Sequence, residues 1–277
     1  LAWGARGREF ESRRSDQINK KGLPLTASLF LYLSLTFDIL RIAMALTPEK
    51  IARKNREELE HPQEFFDAFA DSVTIYRDDD IWVIDKPHGL LSVDGKELKV
   101  SLQSRLLKAD PNVKLIHRLD MDTSGLIIFA RHAEAQTHIS KQFIERLPQK
   151  QYQALVWGTL PQAGEVNVPV RYDPDQKPKH IVDMDWPKHA FTKYEALHHE
   201  LRQGLPVSRV ALHPVTGRSH QLRVHMLHIG HVMLGDPIYA EGEALNLSPR
   251  LCLHAHKLRL KHPNNGVWMD WESDVPF

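Results

Sequence analysis

His117-Arg118-Leu119-Asp120-Met121-Asp122-Thr123-Ser124-Gly125, preceded by Val113-Lys114-Leu115-Ile116 and followed by Leu126-Ile127-Ile128-Phe129-Ala130, decides how this chain is read. Two apolar runs of strand length enclose a segment crowded with polar side chains. That arrangement places charged groups at the tip of a rigid strand pair, where binding and catalytic residues are commonly held. The same residues also fit a plain polar turn, because Asp122, Thr123, Ser124 and Gly125 are all turn formers. Spacing alone leaves both readings open.

Outward from this loop the pattern is mostly strands. Val73 to Tyr76 and Ile81 to Ile84, separated by an acidic turn, predict a hairpin upstream. Gln151 to Gly158, Glu165 to Val170, Thr192 to Leu197 and Ser208 to His213 read as strands downstream. Helices are predicted over Leu102 to Leu107, Ala133 to Arg146 and His220 to Ile229. Hairpin-rich strands with few helices between them predict an α+β fold with a mixed, mainly antiparallel β-sheet and flanking helices. Thr47, Pro48 and Glu49 open a lead-in helix over residues 44–72, too short to be a separate domain. The main domain is expected over residues 73–277.

The chain has 277 residues and a formal net charge of only +1, which excludes a global polycation. Charge is unevenly spread, however. From Arg56 to Gly95 there are eleven acidic residues against three basic, and from Arg202 to Lys261 eight basic against three acidic. The C-terminal part is thus the expected face for phosphates, although ordinary surface charge gives the same count. One cysteine, Cys252, excludes an internal disulfide and fits a reducing cytoplasm. His220, His225, His228 and His231 invite a metal site, yet there is no HExxH pair and no supporting cysteine set, so no metal is expected.

Leu23 to Leu46 is apolar over about the ~20 residues needed to span a bilayer. Asp38 and Arg41 interrupt it, each costing roughly 2.5–3.5 kcal/mol near a membrane centre. Met44 is the first methionine, and the sequence after it opens like that of an ordinary globular protein. Residues 1–43 are therefore read as an upstream extension or leader in preference to an anchor, and no membrane partner is expected.

A second polar segment is Leu212-His213-Pro214-Val215-Thr216-Gly217-Arg218-Ser219-His220-Gln221-Leu222-Arg223-Val224-His225. Its turn delivers Arg218 to a helix start, where a guanidinium can meet a phosphate or a carboxylate. Taken alone, such an arginine is usually a solvated helix-end residue.

Together the two segments resemble the RluA family of pseudouridine synthases, whose hallmarks are H-R-L-D-x-x-T-S-G and a later G-R-x-H-Q-L-R. Further matches are Lys86-Pro87-His88-Gly89-Leu90-Leu91-Ser92-Val93, Lys150-Gln151-Tyr152, Gly235-Asp236-Pro237-Ile238-Tyr239 and Leu253-His254-Ala255. The resemblance runs from about Val73 to the C-terminus and is nearest the RluA branch, since neighbouring branches usually carry an extra N-terminal RNA-binding domain. Asp122 stands at an open position of the motif where the nearest members of the family have a small residue.

The resemblance implies the pseudouridine synthase fold and isomerisation of uridine to pseudouridine in structured RNA, namely tRNA, at an anticodon-loop uridine, and 23S rRNA. No cofactor is implied, because the reaction is an isomerisation. Asp120 becomes the catalytic carboxylate, attacking C1′ or assisting removal of the 2′ proton. Arg218 becomes its cation, without which enclosure would disfavour the charged form. Tyr152 becomes the ring that stacks on uracil, with its hydroxyl near C5. Base flipping is expected, with Arg118 filling the vacated stack or holding flanking phosphates. Lys86, His117, His220 and Arg223 are further candidates for RNA contact, although each taken singly is more often a structural residue. Two other classes stay open: a non-catalytic RNA-binding or chaperone module of the same fold, against which intact Asp120, Tyr152 and Arg218 argue, and an Asp-dependent hydrolase, for which no constellation is found.

Overall fold

The computed structural model describes residues 47–277. The extension expected over residues 1–43 and the apolar stretch up to Leu46 lie outside them. Among the described residues no helix is long and apolar enough to cross a membrane.

The lead-in is two helices, α1 (Pro48–Glu60) and α2 (Gln63–Val73), in place of the single one expected. Thr47 caps α1 as predicted, its hydroxyl accepting the Lys50 N–H at 3.4 Å. The break falls at His61-Pro62, where His61 takes extended dihedrals (φ −63°, ψ 138°). A residue before proline is pushed out of the helical region, and proline offers no N–H to continue the ladder.

The expected hairpin is β1 (Thr74–Arg77) against β2 (Ile81–Lys86), antiparallel. Its acidic turn is built by Asp78, whose Oδ1 accepts the backbone N–H groups of Asp80 and Ile81 at 2.9 and 2.8 Å. After α3 (Leu102–Ala109) and the two-residue strand β3 (Lys114–Leu115), β4 (Ser124–Ala130) carries the apolar run Leu-Ile-Ile-Phe-Ala. All seven residues of β4 are buried, which explains why the run shows no alternation: both faces of the sheet are covered.

Helix α4 (Ala133–Ile144) and strands β5 (Gln149–Trp157) and β6 (Ala163–Asn167) follow. The strand read as Glu165 to Val170 is interrupted. Pro169 cannot donate to a ladder, and β7 (Val170–Tyr172) leaves the main sheet to pair with β8 (His180–Val182) in a separate hairpin. Long strands β9 (Phe191–Arg202) and β10 (Leu205–Pro214) lead to α5 (Gln221–His228). A short helix α6 (Gly242–Asn246) and strands β11 (Leu253–Lys261) and β12 (Trp268–Glu272) complete the chain.

The main sheet runs β1-β2-β4-β11-β5-β10-β9-β6, with β3 added to β4 and β12 to β11. Every pairing is antiparallel except β4 with β11, which are parallel at Ser124–His254 and Gly125–Ala255. The α+β expectation thus holds. One core cluster packs Ile81, Val83, Leu126, Ile128, Leu258 and Leu260 beneath α4. Another sets Ala154, Val210, Leu212 and Leu253 against Leu222 and Met226 of α5. Burying one such branched side chain is worth about 1.5–3 kcal/mol.

Candidate active site

The loop bearing Asp120 enters β4 through Gly125, at φ 105°, a conformation that side chains rarely adopt. A Cβ there would stand 2.4 Å from the Ala255 carbonyl oxygen, so glycine alone lets β4 and β11 meet. The loop backbone is fixed from the other side by the segment after β2. Lys86 donates all three ammonium protons to carbonyls, those of Pro87 (2.9 Å), Leu90 (2.7 Å) and Met121 (3.0 Å). Ser92 donates to the Leu119 carbonyl at 2.7 Å and accepts the Leu119 N–H at 3.0 Å. Asp120 is therefore held at both of its peptide neighbours, and its side chain, 29% exposed, faces a cleft of about 1070 Å³.

The cleft's other wall comes from the turn into α5. Gln221 staples that turn, accepting from the Thr216 hydroxyl (2.7 Å) and the Arg218 N–H (3.0 Å) while donating to the Phe191 carbonyl (3.0 Å). His220 sits in the left-handed region at φ 54°, a strain of roughly 1–3 kcal/mol for a non-glycine residue. One turn on, Arg223 is 1% exposed and forms a bidentate pair with Asp236, itself 0% exposed, at 2.7 and 2.6 Å. Its Nη1 also lies 3.6 Å from Asp120 Oδ2. Burial works against the Arg223 charge, but Asp236, Asp120 and Asp122 outweigh it and hold the guanidinium well above its usual pKa. A buried, permanently charged guanidinium thus stands beside an accessible carboxylate.

A profile for RNA pseudouridylate synthases matches residues 80–228, which include both walls of this cleft. The chain belongs to the RNA pseudouridylate synthase family. It is similar to the dual-specificity RNA pseudouridine synthase RluA of Pasteurella multocida (strain Pm70), 45% identical over 206 residues that cover 73% of this chain and 93% of the relative. The RluA of Escherichia coli (strain K12) is 44% identical over 208 residues, covering 74% and 94%. Among solved structures, human RNA pseudouridylate synthase domain containing 1 aligns with a TM-score of 0.65 at 29% identity, over 74% of this chain and 84% of that one.

The pseudouridine synthase fold gathers the residues expected from sequence, with three changes of place. Asp120, Tyr152, Arg118, His117, Arg218, His220 and Arg223 all line the one cleft. The guanidinium beside Asp120, however, belongs to Arg223 and not to Arg218. Arg218 is exposed at the cleft mouth, because the stapled turn presents it outward and only the following helical turn faces inward.

Lys86, expected at the RNA, is 0% exposed and absent from the cleft lining. Burial pushes its pKa down to about 7, although Asp122 and Asp120 oppose the shift. His117 lines the cleft but is tied to the sheet behind it: its Nε2 accepts the Ile128 N–H at 3.2 Å, its ring stacks on Phe143, and burial, aided by Lys150, drives its pKa down to about 3. Arg118 is exposed and lines the cleft.

Tyr152 lies on β5 opposite Leu212 and Ala255, half-buried in the cleft wall. Burial, reinforced by the Asp120 charge, raises the phenol's pKa above its usual value. It is therefore a neutral ring suited to stacking, and a poor base. Asp122 is buried, its Oδ1 without a hydrogen-bond partner among the described residues, and desolvation raises its pKa although Arg223 pulls it down. Sequence reading gave no role to Asp236 or Tyr239. The signal available was the segment Gly235–Tyr239 itself: Gly235 is at φ 65° with no room for a Cβ against the Arg250 carbonyl, so the chain there must carry something fixed in place.

Proposed function

We propose that this pseudouridine synthase isomerises uridines in two classes of structured RNA, tRNA and 23S rRNA, with Asp120 as the reacting carboxylate. The observation that carries the reading is a carboxylate held at both neighbouring peptides, open to a cleft of about 1070 Å³ and backed by a buried guanidinium. Pseudouridine formation breaks the N1–C1′ bond, turns the base, and rejoins it through C5, whose proton then leaves while N1 regains one. Asp120 serves this chemistry either by attacking C1′ or by taking the 2′ proton. Arg223 keeps its charge opposed throughout, as an electrostatic support fixed before substrate arrives.

A uridine in a folded loop reaches Asp120 only after leaving its stack. Tyr152 offers a flat neutral ring for the extruded base, while Arg118 and Arg218 stand exposed at the mouth to take the vacated stack and the flanking phosphates. The dual RNA range is supported by the similarity to relatives named dual-specificity synthases. A cytoplasmic location suits such substrates and the buried, unpaired Cys252.

The test is incubation of purified protein with transcribed tRNA and 23S rRNA fragments, followed by chemical mapping of pseudouridine. Product is expected in both RNAs, and Asp120→Asn, nearly isosteric, should abolish it with circular dichroism and melting unchanged. RNA binding without product in the wild type would favour the non-catalytic module, and product in one RNA class alone would end the dual range.

A further inference from the structure

His220 turns one ring nitrogen toward Asp120 and the other toward Tyr239. Its Nε2 lies 3.9 Å from Asp120 Oδ2, and its Nδ1 lies 2.7 Å from the Tyr239 hydroxyl. The imidazole is uncharged at neutral pH, because burial drives its pKa down to about 4 although Asp120 pulls the other way. A neutral imidazole carries a single proton. Which nitrogen holds it decides whether Asp120 meets a donor or a lone pair.

Tyr239 selects between the two. Its oxygen accepts the backbone N–H of His180, on β8, at 2.8 Å, which leaves the phenol's own proton to point at His220 Nδ1. Burial keeps that proton in place, with the phenol's pKa pushed up to about 12. With Nδ1 accepting, the ring proton resides on Nε2 and faces the carboxylate. The opposite tautomer would set a nitrogen lone pair against a negatively charged oxygen, so both ends of the ring favour the same form.

We propose that Tyr239 is a positioning residue: it fixes the Nε2–H tautomer of His220, and that N–H orients the Asp120 carboxylate as the uridine enters. The proposal rests on Asp120 being the reacting carboxylate. At 3.9 Å the contact is longer than a hydrogen bond, and catalytic contacts of this length characteristically tighten when substrate fills the site. The left-handed backbone of His220 fits the same purpose, since the residue does not cap α5 with its side chain and its ring is free to bridge Tyr239 and Asp120. The chain of contacts also ties the β7–β8 hairpin to the reacting group, through the His180 amide.

Nitrogen-15 NMR of histidine-labelled protein tests this without turnover. His220 is expected as the neutral Nε2–H tautomer in the wild type and as a mixture in Tyr239→Phe. A wild-type His220 protonated on Nδ1 overturns the proposal. In kinetics on the tRNA substrate, Tyr239→Phe should lower kcat roughly 10- to 100-fold while KM stays within about twofold.

His220→Gln supplies an amide N–H in place of Nε2–H and has no tautomer to set. It will itself be slower, but adding Tyr239→Phe to it should change the rate by less than about twofold. If Tyr239→Phe costs as much in that background as in the wild type, its effect is merely structural and the proposal fails. A wild type that makes no pseudouridine overturns instead the reading of Asp120, and this proposal with it.

Discussion

Replacing Arg223 by methionine keeps the length of the side chain and removes its charge. Asp236 would then be a 0% exposed carboxylate held only by the N–H groups of Ile238 and Tyr239, at 2.9 and 3.2 Å. Breaking a buried pair from one side costs about 3–5 kcal/mol, because the remaining charge has neither water nor partner. For a domain of this size each kcal/mol moves Tm by about 2–4 °C, so a fall of roughly 6–20 °C is expected. Arg218→Met, at an exposed position, should stay within about 0.5 kcal/mol of the wild type.

The double variant Arg223→Met/Asp236→Leu removes both charges and should recover much of the lost stability. It should not recover product formation, because Asp120 still lacks its neighbouring cation. Urea unfolding followed by circular dichroism, together with single-turnover assays, separates the two effects. An Arg223→Met protein within about 1 kcal/mol of the wild type would refute the ion-pair argument. A double variant with full activity would refute the role of Arg223 beside Asp120.

Arg118→Gln and Arg218→Gln should each lower the slope of log affinity against log salt for RNA by about 0.7–0.9, the signature of one lost phosphate contact; an unchanged slope would show that the residue meets no phosphate. Acid should weaken the fold through its buried histidines. His225 and His254 are almost fully buried, and burial lowers both pKa values to about 4, so the unfolded chain binds their protons first as pH falls. Their contribution is complete above the unfolded value near 6.5, declines as pH falls below it, and levels off below about 4, with a loss on the order of 2 kcal/mol each between pH 6.5 and 5. Unfolding free energies that do not change over that interval would contradict this.

The elements around Asp120 were legible because their signals are local. The run Leu126–Ala130 is written in adjacent residues and falls within β4, whereas of the turn formers Asp122–Gly125 the last two already belong to that strand and the turn closes between Asp120 and Thr123. Strand β11 escaped reading for a physical reason. Its apolar residues fall at Leu253 and Ala255, then at Leu258 and Leu260, because a bulge between Ala255 and Lys257 shifts the register and breaks the period of two. Its histidines are buried and paired, as His254 is with Ser124 and Ser273.

The exchange of Arg218 for Arg223 has a similar origin. Sequence spacing shows that both arginines flank the start of a helix, but only the Gln221 staple and the distant Asp236 determine which one turns inward. Lys86 stood open between RNA contact and a structural role, and only the fold brings the three carbonyls that enclose it together.

The ladder that joins the two halves of the main sheet is made from a stretch that follows both of them in the chain. Asp120 hangs from β4 on one side of β11, and Tyr152 from β5 on the other. While β11 is still inside the ribosome, the two sides share no strand, and the carboxylate has no fixed relation to its aromatic neighbour. Such late, long-range closure is slow compared with local folding. An emerging chain is thereby kept inert until β11 has been made and paired.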